Sequence, residues 1–159
     1  MPNNISKNQS QQINHPDPRL HTFDKLLGTW NLKHRDLTTG EEWSGKDTFE
    51  WMDGGFFLAF HHEEFGRNIK GTMIIGYAKR WGKEKPSRDA IGHWFESSSG
   101  NYFKYIWEVD DDTLTFWLEK KNSSAAFKGT FSEDHKTITG AWKWPGGGYE
   151  LIMTKTNNK

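Results

Sequence analysis

From Thr29 onward, apolar and polar residues alternate with a period of two. Residues 42–51 read Glu-Trp-Ser-Gly-Lys-Asp-Thr-Phe-Glu-Trp. Trp43, Phe49 and Trp51 fall on one face, and Glu42, Ser44, Lys46, Thr48 and Glu50 on the other. Successive side chains of a strand point to opposite faces, so this is a strand buried on one side and wet on the other. The alternation recurs in Phe103, Tyr105 and Trp107, in Leu114, Phe116 and Leu118, and in Tyr149, Leu151 and Met153. Turn signals separate the runs: Thr39-Gly40, Asp53-Gly54-Gly55, Ser98-Ser99-Gly100, Asp110-Asp111-Asp112, Glu133-Asp134-His135 and Pro145-Gly146-Gly147-Gly148. Glycine-rich pairs supply the positive φ that tight hairpins need. Trp81 to Arg88 is polar, contains Pro86 and reads as a longer loop. The pattern predicts about ten strands, near 29–38, 41–52, 56–65, 69–79, 89–97, 101–109, 113–120, 125–132, 136–144 and 148–156.

One segment before them has a different period. Leu20, Phe23 and Leu27 stand at helical spacing, Asp17 can cap the first turn, Pro18 suits the first helical position, and Gly28 is a stop signal. Residues 1–16 are rich in Asn, Gln and Ser and read as a disordered tail, leaving 17–159 as a single domain. Many short strands joined by hairpins make a sandwich or a barrel, and a meander this long best removes its edges by closing. The expected fold is all-β: an about ten-stranded antiparallel up-and-down β-barrel with one short N-terminal helix closing an end. A barrel of eight or more strands has room for a small ligand among its side chains.

Composition narrows the function. Aromatics make up 15% of 159 residues, with nine Trp and eleven Phe, enough bulk to fill an interior although only 33% of residues are hydrophobic. The 21 basic and 21 acidic residues balance and are scattered, so the electrostatic footprint of a nucleic-acid binder is missing. Without cysteine there are no disulfides, thiolate metal sites or Cys nucleophiles. No apolar run reaches the length of a spanning helix or a signal peptide, so the expectation is a cytoplasmic protein without a membrane partner.

Leu27-Gly28-Thr29-Trp30, a Gly-x-Trp opening the first strand after a short helix, resembles the calycin superfamily, which includes lipocalins, fatty-acid-binding proteins and haem-binding nitrobindin-like barrels. The closer likeness is to a bacterial domain of unknown function in that superfamily. It rests on Gly28-x-Trp30, then Phe49-x-Trp51-Met52-x-Gly54-Gly55-Phe56, then Met73-x-x-Gly76-Tyr77, and covers residues 20–156. The resemblance implies that Trp30 plugs the closed end and stacks on a basic residue of the last strand, here Lys155, by cation–π attraction. It also departs from the family. The fatty-acid carboxylate site, Arg-x-Tyr near the C-terminus, is replaced by Thr154-Lys155-Thr156, and no histidine follows His135 to serve as a nitrobindin-like haem ligand.

Alternation assigns faces. With Trp30 inward, Leu32 and His34 follow; Asp47 is the polar exception among Trp43, Phe49 and Trp51. Phe56, Leu58 and Phe60 put His62 inward, and Ile91 and Phe95 bracket His93. Tyr77, Tyr105 and Trp142 lie on the aromatic face of their strands. Three readings of the polar set stay open: mutual satisfaction or ordered water, a ligand pocket, or a metal or haem site. In His61-His62-Glu63-Glu64, His61 and His62 point to opposite faces and cannot readily chelate one ion, and His61 and Glu63 read as solvated.

The leading expectation is a small-molecule-binding barrel taking a mostly apolar ligand with a polar end. Its expected ligand-binding residues are His34, Asp47, Trp51, His62, Tyr77, His93, Tyr105 and Trp142. Trp51, Tyr105 and Trp142 would stack on the ligand, and His62 and His93 would hold its polar end. One alternative is a cavity enzyme using His and Asp for acid–base chemistry, which requires Asp47 within hydrogen-bond reach of a cavity histidine. The other is a haem or metal barrel resembling nitrobindin. No nucleophile elbow, phosphate loop or nucleotide fingerprint is present, so no catalytic residue, metal ligand or cofactor is assigned. Trp94 and Trp117, placed outside by the same alternation, mark a candidate homodimer patch, although scattered surface aromatics are ordinary.

Overall fold

In the computed structural model, which describes residues 15–156, the Asp17 carboxylate accepts a hydrogen bond from the Arg19 backbone N–H at 3.0 Å and Pro18 opens a helix over Pro18–Leu26. The helix is of the 3-10 type. Its three residues per turn put Leu20, Phe23 and Leu26 on the buried face, where α-helical spacing had pointed to Leu27. Leu27 ends the helix instead. Gly28 starts the first strand with φ 111°, a conformation glycine adopts without penalty.

Ten strands follow: β1 Gly28–Asp36, β2 Glu42–Trp51, β3 Phe57–Glu64, β4 Ile69–Gly76 and β5 Ala90–Glu96. The second half comprises β6 Tyr102–Val109, β7 Thr113–Leu118, β8 Ala126–Phe131, β9 Thr137–Trp144 and β10 Gly147–Lys155. Each strand pairs antiparallel with the next, and β10 returns to β1, closing one barrel. Closure leaves no sheet edge exposed. The tail expected over 1–16 falls mostly on residues 1–14, which lie outside the described residues. Among the described residues, no helix is long and apolar enough to cross a membrane.

The helix plugs one end. Trp30, fully buried, donates its indole N–H to the Leu26 carbonyl at 2.8 Å. Lys155, directly opposite Trp30 in the β1–β10 register, lies 5.0 Å from the indole centroid and donates to the Lys25 carbonyl at 3.1 Å. The cation–π contact that the resemblance implied is therefore present. Trp51 also serves this end, donating to the Asp24 carboxylate at 3.0 Å. Tyr77 lies under the Arg19 guanidinium, 3.8 Å from its ring centroid, while Arg19 ties down the β4–β5 loop through the Arg88 and Ser87 carbonyls. Two expected ligand residues, Trp51 and Tyr77, thus brace the plug and do not reach the cavity.

Above the plug, aromatic rings stack across the barrel: Phe49 on Phe60 at 4.5 Å, Trp107 on Phe116 at 4.4 Å, and Phe116 on Phe127 at 5.0 Å. Two glycines make space for this bulk. A Cβ on Gly92 would meet Met73 Sδ at 2.5 Å and Trp107 Nε1 at 2.6 Å, and one on Gly71 would meet the Trp94 ring at 2.4 Å. Strand β5 therefore turns Ala90, Gly92 and Trp94 inward and Ile91, His93 and Phe95 outward, opposite to the expected register. Trp94 belongs to the interior, not to a surface patch. Trp117 does face outward, but it is buried against Ile106 and Ala126 on the outer wall.

Candidate functional site

The barrel end opposite the plug holds a cavity of about 220 Å³ that is partly open to solvent. Alternation along β3 places Phe60, His62 and Glu64 on its wall, and the same period along β10 places Tyr149, Leu151 and Met153 there. Phe60, Trp94, Tyr105, Trp107, Phe116 and Trp142 supply the aromatic walls.

The polar side is built by strand register. Asp47 on β2 stands directly opposite His62 on β3, and His62 Nδ1 donates to Asp47 Oδ1 at 2.6 Å. Glu64 lies two residues beyond His62 on the same face and accepts from His62 Nε2 at 3.0 Å. Its other oxygen accepts from the Trp43 indole N–H at 2.5 Å. With a carboxylate on each ring nitrogen, His62 is arranged as an imidazolium that donates twice. Burial alone would depress its pKa, but Asp47 and Glu64 outweigh burial and push it up to about 10. Burial raises Asp47, an effect partly offset by the His62 charge and hydrogen bond. Burial also disfavours ionised Glu64, yet the hydrogen bonds from His62 and Trp43 hold its carboxyl below the usual range.

His34 behaves differently. Its ring stacks on Trp43 at 4.9 Å, with Tyr149 edge-on at 5.2 Å, and only 1% of the residue is exposed. Burial, reinforced by the His62 charge and opposed by Glu64, lowers its pKa to about 4, so the imidazole is neutral at pH 7. Nδ1 faces the Trp43 carbonyl at 3.4 Å and is the natural site of the single proton. Nε2 then carries a bare lone pair. Among the described residues it has no hydrogen-bond partner, and it belongs to a residue of the cavity wall. Burial pushes the Tyr105 phenol up to about 12 and raises Tyr149 as well, so both hydroxyls stay neutral.

No family model matches this sequence, and neither does any curated protein.

Of the eight expected ligand residues, the structure brings five to the cavity: His34, Asp47, His62, Tyr105 and Trp142. Trp51 and Tyr77 sit at the plug. His93 is on the outer face, bonded to the Tyr102 hydroxyl at 2.7 Å and stacked on its ring. Glu64, Trp94 and Tyr149 were missed. The period that turned His62 inward also covers Glu64, and Tyr149 heads an alternating run already visible in the sequence. His61 lies on the outer wall between Glu50 and Thr72, at 3.2 and 3.1 Å, facing away from His62 as strand geometry requires.

Among the described residues, no group of three or more His, Asp or Glu is placed to hold a metal ion. His34 Nε2 has the chemistry of an axial ligand, but an apolar cavity of roughly 150 Å³ is filled by benzene, and about 220 Å³ has no room for a porphyrin several times that size.

Proposed function

We propose that this protein is a small-molecule-binding barrel, whose ligand sits among the mouth-side aromatic rings and hydrogen-bonds to His34. The observation that carries this reading is the buried, unpartnered Nε2 of His34, a residue that lines the cavity. An unsatisfied buried acceptor costs about 1–3 kcal/mol, and a ligand donor removes that cost. Apolar walls with a few placed polar groups are the usual make-up of a small-molecule site. Kinship with the calycins belongs to the same reading, supported by the ten-strand closure and by Lys155 over Trp30.

The test compares native with denatured mass of the purified protein, followed by ligand-observed NMR against a library of one-ring compounds. The reading expects either a reproducible extra mass or ring compounds whose binding His34→Phe abolishes. A library without a single binder, together with no extra mass, refutes it.

Acid–base catalysis in the cavity is the second reading, favoured by the 2.6 Å contact between Asp47 and His62. Both His62 nitrogens are engaged, so the proton acceptor in that scheme is His34, with the Asp47–His62–Glu64 cluster as a fixed electrostatic background. Exchange of solvent deuterium into a bound carbonyl compound, lost in His34→Phe, would be its signature.

A further inference from the structure

The cavity has a charge as well as a shape. Its acidic lining residues are Asp47, Glu64 and Glu96, and its basic ones are limited to histidine; no Lys or Arg is among the described residues that line it. The Asp47–His62 pair holds one proton between a carboxylate and an imidazole, which makes it neutral as a unit, and Glu64 and Glu96 are then left with no Lys or Arg beside them on the cavity wall, among the described residues. Arg67 approaches from outside, 3.6 Å over the Trp43 ring, but its charge is matched by Glu41 at 3.1 Å. On this side the His34 lone pair and the free lone pairs of the Glu64 carboxylate accept, while the neutral Tyr105 and Tyr149 hydroxyls can donate as well as accept. The opposite walls are Trp and Tyr rings, whose faces attract cations.

Building on the binding-barrel reading, we propose that the ligand is a small organic cation: a protonated amine on a ring of modest size, its N–H groups directed to His34 and Glu64 and its body against Trp94, Trp107 and Trp142. Scaling from benzene in roughly 150 Å³, about 220 Å³ admits about nine non-hydrogen atoms. A carboxylate ligand of the fatty-acid kind is disfavoured twice, by the Glu64 charge and by the absence of Lys or Arg among the described residues that line the cavity. A neutral alcohol can donate to His34 but gains nothing from Glu64, which makes it the informative competitor.

The experiment is calorimetric titration of the wild-type chain at pH 7 with benzylamine, benzyl alcohol and benzoate. The three share one ring and differ in the charge of the polar group. The expected result is benzylamine at least tenfold tighter than benzyl alcohol, and no measurable benzoate binding. In Glu64→Gln, which keeps an acceptor for the Trp43 N–H, the advantage of the amine over the alcohol shrinks to threefold or less. Should that variant fail to fold, the three wild-type affinities still decide the matter. Alcohol binding as tight as amine binding, or tighter benzoate binding, overturns the cation inference and leaves the binding barrel standing. No binding by any of the three, combined with a negative ring-compound library, overturns both.

Discussion

The proton held between Asp47 and His62 makes the barrel sensitive to alkali in a way that can be calculated. His62 has a folded-state pKa of about 10, and an unfolded imidazole titrates near 6.5. A raised folded-state pKa gives stability that is fully present below the unfolded value and is lost as pH rises through the folded one. Between those values the folded chain binds one more proton than the unfolded chain. Stability then falls by about 1.4 kcal/mol per pH unit, or about 2 kcal/mol between pH 7.5 and pH 9. Other groups titrate over this range, so the measured quantity is a difference. Urea denaturation of wild type and His62→Gln at both pH values cancels the contributions of groups outside the Asp47–His62–Glu64 cluster. Wild type is expected to lose about 2 kcal/mol more than the variant over that interval. Equal losses would mean that the carboxylates on either side of His62 do not hold its proton, and the charge assigned to the cavity would be wrong.

Gly92→Ala drives a methyl group into Met73 Sδ and Trp107 Nε1 at about 2.5 Å and should cost about 1–3 kcal/mol by overpacking, read as a lower urea midpoint with an unchanged m-value. Trp51→Phe removes the hydrogen bond to Asp24 at the plug; it should lower stability by about 1 kcal/mol and leave ring-compound affinity within twofold of wild type, and a larger affinity loss would place Trp51 in the cavity after all. His93→Ala on the outer wall should change both stability and binding little, within about 0.5 kcal/mol.

Parity was legible in the sequence, and height was not. A period of two decides which face a side chain takes, and in β1, β2, β3, β6 and β10 it puts His34, Asp47, His62, Tyr105 and Tyr149 inside. It cannot say how far along the barrel an inward residue lies. Inward positions of β2 run from Trp43 at the mouth to Trp51 at the plug, and that order follows from which end the helix occupies. Trp51 and Tyr77 were therefore given the right face and the wrong end. β5 failed for another reason. Ile91, His93 and Phe95 look like an inward set because they are bulky, but Trp94 and Trp107 need the space over Gly71 and Gly92, and that requirement belongs to neighbouring strands. The helix face slipped by one residue because capping and spacing do not distinguish three residues per turn from 3.6.

Closure of β1 on β10 joins the first strand of the barrel to be synthesised with the last. Until Gly147–Lys155 has emerged, β1 has an unpaired edge and Trp30 lacks Lys155 beneath it. At ordinary rates of synthesis the nascent chain carries that open edge for on the order of ten seconds. A chain truncated before β10 presents two sticky edges, the condition under which β-rich chains recruit one another into aggregates.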